Sequence, residues 1–372
     1  MHHPAPGLCH PADASRFPRV AVALVTFGLL VATCGSAHSS EAARSGTASP
    51  LTSSPTPAAA AYFGLKLPGE IPELFAPGII NIPDRSVGRI AFSPDARECA
   101  FTVFESIYAH NRILFTRHEN GAWTAQTPWA GVEGRETLEP LFARDDSRLY
   151  FAVKSPGDSP NVDFWEAQRS GAGWSKPQPL SAPLNSTQNE FCLTQTADGT
   201  MYFASRREGG HGGLDLYRTV AGPGQPLQVE NLGTAVNSAS DDGDPALSPD
   251  GRVLVFYSSS NRPRPTGNSD LFICFNNGQG GWTTPVNLGE GFNTPAQEYG
   301  ATFSHDGRAL FFVRFDGEKG EVYWVSTAAL ERFRQRSEAA GALPESPALL
   351  LPERKSIHVS PEILQRYVGT YA

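Results

Sequence analysis

The sequence predicts an all-β fold, a β-propeller built from four-stranded antiparallel blades. Five segments recur along the chain, and each reads as a strand, an Asp-containing turn and a second strand. Glycine (36 residues) and proline (31 residues) are abundant, as many short elements joined by turns require. The second strands carry an equivalent aromatic at separations of 50, 52, 53 and 56 residues: Phe101, Phe151, Phe203, Phe256 and Phe312. A period of about 40–50 residues with four strands is typical of a propeller blade.

The elements of each repeat follow in a constant order. Two alternating apolar runs around an Asp-containing turn predict a hairpin. The hairpins span residues 89–103, 139–153, 191–205, 245–259 and 300–314. A short third strand follows, in 112–117, 162–167, 214–219, 269–274 and 321–326. The outer strand of the first, second and fourth repeats is a Trp-Pro segment such as "GWTTPVNL", and the third repeat has "GQPLQVENL" instead.

The fifth repeat lacks an outer strand after residue 326. The segment "IPELFAPGII" (71–80) precedes the first hairpin and looks like an unpaired outer strand. If it joined the last blade, it would cover an edge of unpaired backbone groups. We therefore expect five blades closed by this N-terminal strand, with six blades as the alternative.

The repeats resemble the TolB-type WD-like propeller repeats of bacterial cell-envelope proteins. The resemblance is carried by "SPDGRVLVF" (248–256) and "GGLDLY" (212–217), together with "WTTPVNL" and "FNTPAQE". It covers roughly residues 70–328. It implies a propeller domain, which we assign to residues 63–328, and it implies little about activity.

Two segments flank this domain. Residues 20–33 are a continuous apolar run that is too short for a transmembrane helix, which needs about 20 residues, and suits a secretory signal over residues 1–37. The run ends at "VATC", which resembles a bacterial lipoprotein signal with Cys34 as the lipidated residue. Ordinary cleavage after Ala37 is the alternative. Residues 38–62 have the composition of a disordered tether.

The C-terminal region, residues 329–372, reads as a short helix, a Pro-rich linker and the truncated start of a further domain. Its "YVGTY" motif resembles the opening of a small β domain often appended to bacterial serine hydrolases. The expected location is outside the cytoplasm, in the periplasm or at the outer membrane, with membrane contact only through a lipid anchor.

Composition excludes several classes of partner. The net charge is −8 and no Lys/Arg run exceeds two residues, so nucleic acid is not an expected partner. The five cysteines are scattered and form no disulfide framework, and neither cysteines nor histidines have zinc-type spacing. We therefore expect no cofactor and no metal. Cys99, Cys192 and Cys274 lie inside apolar runs and read as buried free thiols.

The aspartate at each hairpin tip has a structural interpretation. Asp250 and its equivalents recur in every repeat, and an aspartate there bonds to its own turn. The equivalents are Asp95, Asp145, Asp198 and Asp306.

A second polar pattern predicts a candidate ligand site at the mouth of the channel. Blades three, four and five begin their inner strand with N-x4-(D/E). The residues are Asn185, Asn237, Asn293, Glu190, Asp242 and Glu298. Loops expected on the same face carry cations and a histidine: Arg206, Arg207, His211, Arg262 and Arg264. These carboxylates either accept backbone and arginine hydrogen bonds as part of the repeat, or surround a ligand.

Three functions remain open. The first is a monomeric binding or scaffolding module that contacts envelope proteins or cell-wall glycan, because the chain has an apparent signal and tether and lacks G-x-S-x-G and P-loop motifs. The alternative is a glycosidase-like enzyme, which would use carboxylates at the channel mouth. The third is a regulatory propeller that has lost a hydrolase domain.

Overall fold

The computed structural model describes residues 61–105, 110–129, 132, 134–156, 161–171, 173–222, 224–259, 266–334 and 336–337. The chain divides into two units, 1–53 and 54–372, and every described residue belongs to the second. The described part contains 22 strands and two short 3-10 helices, Ala61–Gly64 and Thr327–Phe333. The all-β prediction is confirmed.

The strands after β1 (Glu73–Leu74) form five successive antiparallel groups, here called units one to five, and the last two belong to one sheet. Unit one contains β2 (Ser86–Phe92), β3 (Glu98–Phe104), β4 (Arg112–Glu119), β5 (Ala122–Trp123) and β6 (Thr127–Pro128). Unit two contains β7 (Glu136–Phe142), β8 (Arg148–Lys154), β9 (Val162–Ser170), β10 (Gly173–Trp174) and β11 (Gln178–Pro179). Unit three contains β12 (Glu190–Gln195), β13 (Met201–Ser205), β14 (Asp215–Val220) and β15 (Gln228–Asn231).

The last two units are joined by one parallel bridge. Unit four contains β16 (Asp242–Leu247), β17 (Val253–Ser259), β18 (Ser269–Phe275) and β19 (Val286–Asn287). Unit five contains β20 (Gln297–Phe303), β21 (Ala309–Phe315) and β22 (Gly320–Ser326). Within each unit, consecutive strands pair antiparallel, and Ser269 pairs in parallel with Gln297 between units. The Trp-Pro segments of units one and two each form two short outer strands.

The hairpin aspartates have the expected turn contacts. Asp250 Oδ1 accepts a hydrogen bond from the Arg252 N–H at 3.1 Å and one from the Ser248 hydroxyl at 2.6 Å. The same backbone contact, from the residue two positions later, recurs at Asp95, Asp145, Asp198 and Asp306. The side chain therefore stabilises the reversal between the first two strands of each unit.

The N-terminal segment pairs with the last unit. Glu73 lies opposite Trp324 and Leu74 opposite Tyr323 in an antiparallel register. Asn81 follows, and its side chain accepts from the Val322 N–H and donates to the Val322 carbonyl. The segment 71–80 thus contributes β1 beside β22, on the far side of β22 from β21.

The core lies between neighbouring units. The five repeated aromatics, from Phe101 to Phe312, are at most 1% exposed and occur in five hydrophobic clusters, each shared by two adjacent units. One cluster combines Phe75 and Phe92 with Phe311 and Trp324, so units one and five share a core. Burying one such side chain contributes about 1.5–3 kcal/mol. The repeated aromatics in the sequence therefore mark the positions at which neighbouring units pack against each other.

The first strand of each unit lies against the first strands of its neighbours. The contacts run from β2 to β7, β12, β16 and β20, and β20 contacts β2 again. Residues near the middle of these strands therefore come from all five units into one small region.

A short helix follows the last strand of unit five. The helix expected after residue 326 is present as the 3-10 helix Thr327–Phe333, whose Leu330 and Phe333 pack into the core between units four and five. Among the described residues, no helix is long and apolar enough to cross a membrane. The predicted signal with Cys34, nearly all of the tether (38–60) and most of the C-terminal region lie outside the described residues.

Candidate functional site

The asparagines of the N-x4-(D/E) pattern bind the third strand of the preceding unit. Asn237 Oδ1 accepts from the Leu216 N–H at 2.9 Å, and its Nδ2 donates to the Leu216 carbonyl at 3.0 Å. Asn293 makes the same two bonds with Leu271, and Asn185 makes them with Phe164. Asn81 does the same with Val322. The sequence pattern missed it because the fifth residue after it is Ser86, not a carboxylate. These side chains satisfy buried backbone groups between units.

The three carboxylates of the pattern are fully buried and hydrogen-bonded. Each accepts from the backbone N–H and the hydroxyl of the residue four positions earlier, which is Ser186, Ser238 or Thr294. Glu190, Asp242 and Glu298 are each 0% exposed. Burial raises the pKa of Glu190 and of Glu298, while these hydrogen bonds act in the opposite direction. Their local geometry is that of a capped turn before the inner strand.

Arginine side chains form ion pairs with two of these three carboxylates. Arg207 Nη2 lies 3.3 Å from Glu190 Oε1, and Arg314 Nε lies 2.8 Å from Glu298 Oε1. Arg207 also donates to two backbone carbonyls, so its guanidinium is part of the turn. Arg206 pairs with Asp241 at 3.1 Å, and His211 is exposed. Arg262 and Arg264 lie outside the described residues. The three carboxylates thus sit in separate, repeated turns, one each in units three, four and five.

A different group of side chains meets where the first strands approach one another. Each first strand has a β-bulge near its middle, between residue pairs such as Phe191 and Thr194 or Gly243 and Ala246. The equivalent bulge residues, six positions before each hairpin aspartate, are Arg89, Glu139, Cys192, Asp244 and Gly300. The last four have positive φ, between 51° and 63°. We call Arg89, Glu139, Cys192 and Asp244 the central cluster.

Hydrogen bonds made by these bulge residues connect all five units. Cys192 N donates to Glu139 Oε2 at 2.6 Å, and Gly300 N donates to Asp244 Oδ2 at 2.8 Å. The Cys192 thiol also interacts with the Asp244 carboxylate. Arg89, which is 2% exposed, donates to Thr302 Oγ1 at 2.9 Å and to the Leu193 carbonyl at 3.0 Å. Arg89 therefore reaches from unit one to both unit five and unit three.

Glu139, Cys192 and Asp244 lie close together and are largely shielded from solvent, and both conditions affect their pKa values. Burial, and then the neighbouring charge of Asp244, raise the pKa of Glu139 to about 7. Burial also raises the pKa of Asp244. The pKa of the Cys192 thiol is raised by burial and by both carboxylates. Arg89 opposes all three effects through its positive charge. Strongly perturbed acids of this kind are typical of functional sites.

The central cluster forms one side of a cavity of about 270 Å³, called the central cavity below. Its walls are largely apolar and include Phe104, Leu138, Phe191 and Tyr299. Asn111 also lines it, is 8% exposed, and has an Oδ1 with no hydrogen-bond partner among the described residues. Arg89 Nη2 likewise has no partner within the described part of the chain. An apolar pocket with a few convergent polar groups is the usual form of a ligand site.

The sequence also contains a signal for this cluster. Counting six residues back from every hairpin aspartate gives Arg, Glu, Cys, Asp and Gly, a set in which no residue type repeats. Residues that serve the repeat recur from unit to unit, as the asparagines do. The residue type at this equivalent position differs in every unit. These residues therefore have a role other than stabilising the repeated unit. Among the described residues, Glu139, Cys192 and Asp244 are also the group whose ligand atoms lie close enough to share a metal ion.

Comparisons with known proteins identify similar folds. No protein-family model matches the sequence, and no curated protein matches it. Similar solved structures include TolB from Acinetobacter baumannii (20% identity, TM-score 0.41, covering 66% of this chain and 53% of that chain). They also include a putative TolB from Agrobacterium tumefaciens (14%, TM-score 0.43, 66% and 78%). A third is an α-L-arabinofuranosidase from Lactobacillus brevis (12%, TM-score 0.43, 65% and 91%).

The chain thus spans about half the length of the first of these proteins. All three TM-scores lie below 0.5, so the similarities carry no conclusion about activity, ligand or partner.

Proposed function

We propose that the chain is an exported, envelope-associated β-propeller of five blades that binds a small polar group in the central cavity. Units one to five are the blades, and β1 closes the ring by completing blade five. The shared core of units one and five and the contact between β20 and β2 support this closure. A six-bladed arrangement would need a further unit between these two.

The observation that carries the proposed binding function is the composition of the central cavity. Apolar walls surround a buried guanidinium and two carboxylates, and two buried polar atoms nearby lack partners among the described residues. A buried polar atom without a partner costs about 1–3 kcal/mol, which a ligand with donors and acceptors would offset. The hydroxyls of a glycan unit or the terminus of a peptide have this chemistry.

The test is a binding screen on the purified chain with soluble peptidoglycan fragments and neutral oligosaccharides, using calorimetry. Asp244→Asn is expected to weaken binding of any hit about tenfold, because it removes a charged acceptor from the cavity. Asp250→Asn is the matched control. It makes the same chemical change on the same hairpin, at the far end of β16, and should leave binding unchanged. Equal affinities for Asp244→Asn and the wild type would remove the central cavity as the site.

A glycan-cleaving enzyme is the second candidate, favoured by one observation. Glu139 and Asp244 carry carboxylate oxygens within 4.8 Å of each other beside a cavity. Retaining glycosidases place two carboxyl groups about 5–5.5 Å apart. Fluorogenic glycosides would test it, since Glu139→Gln should abolish any turnover. Turnover that persists in Glu139→Gln, or is absent from the wild type, would exclude this candidate.

The proposed location rests on the N-terminal pattern. Expressed in a bacterium with its full N-terminal segment, the wild type should fractionate with membranes. Cys34→Ala should release it into the soluble periplasmic fraction. Membrane association of a Cys34→Ala chain whose mass shows that residues 20–33 have been removed would exclude lipidation as the anchor.

A further inference from the structure

We propose that Glu139, Cys192 and Asp244 form a binding site for one divalent transition-metal ion of the zinc type. One ligand atom from each residue lies within 4.8 Å of the other two. Zinc binds thiolate sulfur at about 2.3 Å and carboxylate oxygen at about 2.0–2.2 Å, so an ion between the three needs only a small inward movement. The thiolate favours zinc-like ions over magnesium or calcium, which prefer oxygen ligands.

The charge of the central cluster matches a divalent ion. With all three ligands deprotonated, the cluster carries three negative charges and the one positive charge of Arg89. The remaining charge of −2 lies in a buried region, where unpaired charge is costly. A divalent ion would neutralise it.

The backbone already holds both carboxylates in place. Cys192 N donates to one oxygen of Glu139, and Gly300 N donates to one oxygen of Asp244. Partners of this kind orient metal ligands and tune their affinity. Each carboxylate has a second oxygen that could coordinate an ion. The positive-φ bulges bring these three side chains together from three different units.

A second, independent observation comes from Asn111. Its side chain is more than nine-tenths buried and lines the same cavity, and its Oδ1 has no partner among the described residues. Three protein ligands leave at least one coordination position of a zinc-type ion open. A water bound there could donate a hydrogen bond to an acceptor that lines the same cavity, such as this oxygen. The other two cysteines of the described chain, Cys99 and Cys274, are instead buried in hydrophobic clusters.

The experiment is a titration of the chelator-treated full chain with Co²⁺ and, in parallel, a count of bound Zn²⁺ by elemental mass spectrometry after desalting. The wild type should bind one ion per chain and show the near-ultraviolet charge-transfer absorption of a cobalt–thiolate bond. Cys192→Ser should lose this absorption, and Asp244→Asn should weaken Zn²⁺ binding at least about tenfold. Asp250→Asn, the hairpin control, should behave as the wild type.

Either of two results would overturn the site. One is no retained ion in the wild type at micromolar free Zn²⁺, and this result does not depend on any variant folding. The other is an unchanged cobalt spectrum in folded Cys192→Ser. Ligand binding in the central cavity is measured separately, with and without chelator. If the cobalt–thiolate absorption appears but no glycan or peptide binds, only the proposed function is contradicted. If a glycan or peptide binds but no cobalt–thiolate absorption appears, only the metal site is contradicted.

Discussion

The backbone N–H of Cys192 donates a 2.6 Å hydrogen bond to Oε2 of Glu139, and so joins the first strands of units two and three. The acceptor is a half-buried carboxyl group, and desolvation together with the nearby charge of Asp244 raises its pKa to about 7. One side chain therefore stabilises an inter-unit contact and lines the central cavity. These two roles can be separated by substitution.

Glu139→Leu should lower the free energy of unfolding by about 1–3 kcal/mol, because it leaves the Cys192 N–H buried without an acceptor. Glu139→Gln keeps an amide oxygen at that position and should change stability by less than about 1 kcal/mol. Urea denaturation in the presence of chelator measures both. Equal losses for the two variants would mean that the hydrogen bond does not contribute.

Arg314→Ala should lower the free energy of unfolding by about 3 kcal/mol, because it leaves Glu298 buried without its ion pair. Arg252→Ala is the matched control. Arg252 is 75% exposed and lies 3.8 Å from Asp250, so its loss should cost less than about 1 kcal/mol. The midpoints of denaturant unfolding give both changes in free energy, provided that the dependence of the free energy of unfolding on denaturant concentration is unchanged. A loss for Arg314→Ala as small as that of the control would contradict the structural role of Glu298.

His305 should make the fold sensitive to acid. Burial, and then the nearby charge of Arg144, lower its pKa from 6.5 to about 4. The unfolded chain therefore binds a proton before the folded chain does. The stability due to the neutral imidazole is complete above about pH 6.5 and is lost as the pH falls toward 4. The loss should amount to about 3 kcal/mol, since each pKa unit corresponds to about 1.4 kcal/mol.

His305→Gln cannot titrate, and should flatten this part of the stability curve. Denaturation at pH 7.5, 6, 5 and 4 compares the two proteins. Parallel curves would show that other groups cause the acid sensitivity.

Removing residues 1–81 should strongly destabilise the remaining chain. This truncation deletes β1, the fully buried Phe75 and the Asn81 bonds to Val322, and it exposes an edge of β22. Loss of a buried Phe side chain costs about 3–5 kcal/mol, so the melting temperature should fall by about 10 °C or more.

Removing only residues 1–60 is the control, and should leave the melting temperature within about 3 °C of the wild type. Thermal melts and size-exclusion chromatography compare the two truncated chains. Equal melting temperatures would contradict closure by β1.

The elements of this fold were largely predictable because their signals are local. The hairpin aspartates bond within their own turns, and the repeated aromatics from Phe101 to Phe312 pack at the same point of every unit. The pairing of 71–80 was suggested by a missing outer strand and is present in β1. The third unit lacks the Trp-Pro signal, yet it forms its outer strand β15.

Recurrence by itself directed attention to residues other than those that line the central cavity. Glu190, Asp242 and Glu298 were conspicuous because they recur, and they lie buried in repeated turns. Cys192 was interpreted as a buried free thiol. That interpretation could not include the neighbours that it meets from other units.

What the sequence by itself determined is the repeat: strand, turn, strand and their period, because these depend on residues near one another along the chain. Only the tertiary structure decided which side chains meet at the centre. A β-bulge inserts a residue into the strand and breaks the alternation of faces, so the direction of Glu139, Cys192 or Asp244 cannot be counted from the sequence. Their proximity, and with it their shared charge and cavity, arises when separate units pack their first strands together.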